Sequence, residues 1–146
     1  MGSEMCIRDS LLVYACTARV VAGRGADTVR FVAVPAVPDF DPTPDCKAAH
    51  FHLSALGGAG HDRLVGRKWS DLLIGGRGRD SVDGRGGNDI ICAGSGNDKV
   101  SGGSGKDRIS ARDKRRDTIN CGSSIDRVKA DRIDKVSRNC ERVSRR

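Results

Sequence analysis

GGAGHDRLV (57–65), GRKWSDLLI (66–74), GGRGRDSVD (75–83), GRGGNDIIC (84–92), AGSGNDKVS (93–101) and GGSGKDRIS (102–110) follow one another without a gap. The sixth place is Asp in every line: Asp62, Asp71, Asp80, Asp89, Asp98 and Asp107. The eighth is aliphatic in every line: Leu64, Leu73, Val82, Ile91, Val100 and Ile109. The fourth is Gly except at Trp69. Self-similarity at a fixed period marks a repeat architecture. Nine residues are too few for a helical pair but hold one tight turn and one short strand.

Gly tolerates positive φ and close backbone approach, so GGxG can turn sharply with its carbonyls exposed. About three residues then remain before the next turn. In a strand they alternate, so the eighth residue points one way while the seventh and ninth point the other. Stacked coils would carry an aliphatic ladder inside, with the Asp residues and turn carbonyls along the outer edges. Rows of oxygen ligands suit a hard cation, and Ca²⁺ takes six to eight oxygens in flexible geometry.

These lines resemble the haemolysin-type calcium-binding, or repeats-in-toxin, nonapeptides of pattern GGxGxDxUx. The resemblance implies an all-β fold: a parallel β-roll, or β-solenoid, in which two nonapeptides make one coil. It also implies Ca²⁺ between turns stacked on the same edge. The expected ligands are Asp62, Asp71, Asp80, Asp89, Asp98 and Asp107. Backbone carbonyls near Gly58, Gly76, Gly78, Gly87, Gly94, Gly96, Gly103 and Gly105 would join them.

Composition agrees with a thin roll. Aromatics are 3% of the 146 residues, too few for a bulky core. Asp outnumbers Glu by 17 to 2, as turns and oxygen-ligand sites prefer. Fifteen of the 19 Gly lie in 57–110. A disordered Gly-rich linker would have no reason to keep the aliphatic place. No apolar run approaches the roughly 18 residues of a membrane span.

Six Cys in a small chain suggest an oxidising compartment, hence a secreted, extracellular protein. With two nonapeptides per coil, Cys140 is expected one coil above Cys121 and disulfide-bonded to it. Cys46 and Cys92 are the expected second pair, joining the entry strand to the roll.

Upstream, MCIRDS (5–10) resembles the translated transposon end used in sequencing-library preparation, so residues 1–10 are read as an assembly artefact. Residues 11–45 read as an irregular linker segment, truncated if that is so. All four Pro fall between Phe31 and Pro44. AGRGADTVR (22–30) also fits the nonapeptide, either as a stray repeat or by chance. The calcium-binding roll is expected over 46–110, with Cys46–Leu56 as its capping strand. Cys46, His50 and His52 lack a fourth ligand at zinc spacing, so the two histidines read as surface residues beside a disulfide half.

Residues 111–146 keep the period but lose the glycines. They hold 12 Lys+Arg against 6 Asp+Glu, net +6 of the chain's +7. The expectation is a metal-poor cap in which Arg or Lys beside the remaining Asp replaces the cation, since terminal repeats must be atypical.

No zinc-protease helix motif or nucleophile elbow occurs, and Gly103–Lys106 lacks the Ser/Thr that a phosphate loop needs. The expected function is therefore a non-enzymatic, secreted calcium-binding structural or surface-binding module. Alternatives are the C-terminal roll of a longer secreted hydrolase, or a cationic polyanion-binding protein. An anionic cell-surface polymer is a candidate partner. The basic third lacks interleaved aromatics and any helix-turn-helix or zinc-finger pattern, which argues against a specific nucleic acid.

Overall fold

The computed structural model describes residues 4–7, 19–22, 24–26, 28–30 and 53–145, and every regular element there is a strand. In chain order these are β1 (Glu4–Ile7), β2 (Arg19–Ala22), β3 (Thr28–Arg30), β4 (Leu53–Ala59), β5 (Arg63–Val65), β6 (Asp71–Arg77) and β7 (Ser81–Asp83). They continue with β8 (Ile90–Ser95), β9 (Lys99–Ser104), β10 (Arg108–Ala111), β11 (Thr118–Ser123), β12 (Arg127–Ala130), β13 (Lys135–Val136) and β14 (Arg142–Arg145). Two parallel sheets result, ordered β1-β2-β4-β6-β8-β10-β12-β14 and β13-β11-β9-β7-β5-β3. From β4 onward the chain alternates between them, so each coil contributes one strand to each sheet. The protein is a parallel β-solenoid.

The register follows the repeat. Leu73 lies opposite Ile91 and Leu64 opposite Val82, two nonapeptides apart. The extra residue in 111–120 lengthens the step, placing Ile119 opposite Val100 and Val128 opposite Ile109. Compression of 130–138 shortens it, placing Val136 opposite Ile119. One-residue length changes are absorbed in the turns, because a one-residue slip in a strand would turn the aliphatic ladder outward.

The core is that ladder. Leu64, Leu73, Val82, Ile91, Val100, Ile109, Ile119 and Val128 are all at most 2% exposed. Each such side chain contributes roughly 1.5–3 kcal/mol by burial. First-place residues Ala93, Ala111, Cys121 and Ala130 share the interior, as does Cys140.

Two segments of the N-terminal third join the sheets. Arg19–Ala22 pairs with β4 and Thr28–Arg30 with β5, with Val29 opposite Leu64. Arg19–Ala22 and Thr28–Arg30 thus each add a strand to one sheet of the roll. The Gly25 N–H donates to the Ala59 carbonyl at 2.8 Å, the same bond that links later turns. Loop-closure cost grows only logarithmically with length, so residues 31–52 can separate adjacent coils cheaply. Glu4–Ile7 pairs with β2 at the sheet edge. Residues 31–52, with Cys46, His50 and His52, lie outside the described residues, as does Cys16. No helix of the described residues is long and apolar enough to cross a membrane.

Candidate metal centre

The six repeat Asp residues sit at the turns, but their carboxylates do not line the outer edges. Asp62, Asp71, Asp80, Asp89, Asp98 and Asp107 are 1–3% exposed. The reason is strand parity. Sixth, eighth and following first places alternate in phase, so the Asp points inward with the aliphatic residue two positions on. Asp117, Asp126 and Asp134 continue the buried ladder into the basic region.

From Asp80 onward each carboxylate is tied to the preceding coil. The backbone N–H of Asp62 donates to Oδ1 of Asp80 at 2.8 Å. Asp71 donates likewise to Asp89, Asp80 to Asp98 and Asp89 to Asp107, each at 2.8 Å. Asp98 donates to Asp117 and Asp107 to Asp126, again at 2.8 Å. The second oxygen is different. Oδ2 of Asp80, Asp89, Asp98, Asp107, Asp117 and Asp126 is buried and accepts no hydrogen bond. An unmet buried carboxylate oxygen is costly, and near-universal pairing is the rule for such groups.

The titration of these groups reflects that cost. Burial pushes Asp89 up to about 8, opposed by the Asp71 N–H and reinforced by the neighbouring carboxylates of Asp107, Asp71 and Asp83. Burial likewise raises Asp98 and Asp107 to about 6 and Asp117 to about 7. Asp80 and Asp126 are raised by the same cause.

The glycines supply the turn and the close stacking. Gly76 and Gly78 hold φ of 114° and 133°. A Cβ on either would overlap the carbonyl oxygen of Gly58 or Gly60 in the preceding coil. Gly94 and Gly96 stack in the same way on Gly76 and Gly78. On the other edge Gly103 stacks on Arg85, Gly105 on Gly87, and Gly87 on the Trp69 backbone. The carbonyls expected near these glycines thus lie between stacked turns.

A second set of carbonyls, at the first places, also faces the carboxylates. A Cβ on Gly102 would meet Asp107 Oδ2 and the Cys121 carbonyl oxygen, each at 2.5 Å. The same pairing of an Asp Oδ2 with the next coil's first-place carbonyl recurs at Gly75 and Gly84. Two acceptors therefore converge on a space only glycine leaves open, and no donor enters it.

Among the described residues no three His, Cys, Asp or Glu side chains gather as a metal-holding group. A cation here must take many ligands from backbone carbonyls. Buried, unmet, hard oxygens with adjacent carbonyls fit Ca²⁺.

The carboxylate of Asp71 is held differently from those of Asp80 to Asp126. Its Oδ2 accepts the Arg67 N–H at 2.6 Å, and its Oδ1 lies 3.4 Å from the Arg67 guanidinium. The turn GRKWSD lacks glycine at its second and fourth places, so it closes on its own carboxylate. Asp134 is closed likewise, by the Asp131 N–H at 2.6 Å. The expected replacement of cations by Arg or Lys in the cap does not occur at Asp117 or Asp126, whose Oδ2 atoms have no partner. It occurs instead at Asp71, inside the glycine repeats.

Cys121 and Cys140 form a disulfide with Cα atoms 5.2 Å apart. Cys121 holds an inward first place, and the side chains of both are buried. Cys92 carries a free thiol, contrary to the expected Cys46–Cys92 pair. It holds an outward ninth place on β8 between Ile74 and Ser110, away from the interior where the other bond lies.

Residues 56–91, 70–100 and 93–113 match the family model of the RTX calcium-binding nonapeptide repeat, in 4 copies. No curated protein and no solved structure matches the chain.

Proposed function

We propose, from the RTX calcium-binding nonapeptide repeats that residues 56–113 constitute, that this protein is a secreted, non-enzymatic module whose roll is assembled by calcium. One observation carries the reading: the column of buried Oδ2 atoms on Asp80, Asp89, Asp98 and Asp107 with no donor to meet them. These four residues, with turn carbonyls such as those of Ala93 and Gly102, would hold the ions. Asp62 occupies the equivalent place in the first glycine turn. The bound cation supplies positive charge between coils and offsets carboxylate burial, so binding free energy becomes folding free energy. The chain's own part is to present oxygens at fixed spacing and exclude water from them. Each ladder carboxylate has a structural role, which supports binding rather than catalysis. The disulfide supports an oxidising, extracellular setting. Calcium titration followed by circular dichroism tests the reading. β signal and protease resistance of 57–110 should rise with Ca²⁺ and fall with chelator. Equal β content in both conditions would sink it.

A second observation favours a surface-binding role. Arg108, Arg127 and Arg142 stack in register on the outer face of the eight-stranded sheet. None has an ion-pair partner among the described residues. Strands lie about 4.8 Å apart, and like charges directly opposite repel. A cleft beside them adds Lys106 and the exposed Ile90 and Ile125. Cations flanked by apolar surface suit a linear anionic polysaccharide better than a small ligand. Retention on a heparin column should fall when Arg127 and Arg142 become Ser. Unchanged retention would leave the face without that role.

A further inference from the structure

The glycine repeats end at Ser110, and the loss of GGxG beyond them points to a metal-poor cap. The turn CGSSID (121–126) contradicts that in four respects. First, it keeps the backbone of a glycine turn: Gly122 has φ 97° at the second place and Ser124 has φ 94° at the fourth. A serine in this region is strained by roughly 1–2 kcal/mol, so the stacking imposes the conformation. Second, it is tied to the coil before it like every glycine turn. The Gly105 N–H donates to the Ser123 carbonyl at 3.2 Å, and the Asp107 N–H donates to Asp126 Oδ1 at 2.8 Å. Third, Asp126 is fully buried, and its Oδ2 has no partner. Fourth, the Cys121 carbonyl converges with Asp107 Oδ2 beside Gly102, as the Gly102 carbonyl does with Asp89 Oδ2 beside Gly84.

The other edge does not continue in this way. There the Gly96 N–H turns to the Asp113 carboxylate at 2.7 Å instead of a third-place carbonyl, and the turn carries an extra residue.

We propose that a Ca²⁺ site lies between turns 102–107 and 121–126, with the carboxylates of Asp107 and Asp126 and the Cys121 carbonyl among its ligands. It rests on the calcium reading above and extends it beyond the glycine repeats. The Cys121–Cys140 disulfide then adjoins a metal site rather than substituting for one.

The full chain with its disulfide intact is saturated with Ca²⁺, and bound calcium is counted by dialysis and elemental analysis. Asp126→Asn should carry one ion fewer per chain than the wild type. A full complement in a folded Asp126→Asn overturns the proposal and leaves the glycine-turn sites standing. A wild type that binds no calcium overturns the underlying reading and this one together. Hydrogen exchange of the wild type covers the case in which the variant does not fold. Amides of 121–126 should slow at least tenfold with Ca²⁺, together with those of 84–107. Slowing confined to 84–107 overturns the proposal.

Discussion

The backbone N–H of Asp80 donates to Oδ1 of Asp98 at 2.8 Å, from one coil to the next, while Asp98 Oδ2 meets no donor at all. One carboxylate thus has a structural half and an unmet half. The first fixes the coil spacing and the second makes the roll depend on something positively charged.

Protons are the simplest such charge. Without metal, Asp89 titrates at about 8, Asp117 at about 7, and Asp98 and Asp107 at about 6. An unfolded Asp titrates near 3.9. Between those values the folded chain binds more protons than the unfolded one, so stability falls as pH rises. This contribution should be present in full below about pH 4 and be lost progressively as pH rises from about 4 to about 8. Denaturant midpoints in chelator, taken across that window, check this. A midpoint that rises with pH contradicts it.

Gly78→Ala should destabilise the calcium-loaded roll by more than about 1–2 kcal/mol, because positive φ alone costs that much and the methyl overlaps the Gly60 carbonyl. Ser124→Gly should act oppositely, stabilising by about 0.5–1 kcal/mol through relief of its φ of 94°. Chemical denaturation of the two variants in excess calcium measures both signs.

Asp71→Asn should leave the number of bound calcium ions unchanged, because Arg67 already satisfies that carboxylate. Asp89→Asn should lower it. Parallel dialysis of the two variants compares them, and equal losses would place an ion at the closed turn.

Cys140→Ser should cost about 3 kcal/mol, the loop-entropy value for a closure of this length. The loss should fall mainly on 111–146, seen as faster amide exchange there than in 57–110. A uniform change along the roll would show that the staple acts on the whole stack.

The period-nine pattern determined the strands, the parallel roll, the aliphatic interior and the stacking of Cys121 beneath Cys140. Each depends on local repetition: the same nine-residue solution, stacked, places like residues over like. The inward aim of the Asp was legible too, since Asp62 and Leu64 share strand parity.

Other features exist only in three dimensions. Val29 pairs with Leu64 across residues 31–52, because stacking selects a free sheet edge whatever the length of chain between. Ser124 adopts a glycine's conformation because the coil beneath it imposes the turn. Asp71 loses its open oxygen because GRKWSD bends its own N–H back, an outcome of turn geometry that an Asp at the sixth place does not reveal. Repetition determines which residues stack. Only the stacked neighbours decide which of the carboxylates remain unmet, because each Oδ2 is satisfied or left bare by backbone groups from its own and adjacent turns.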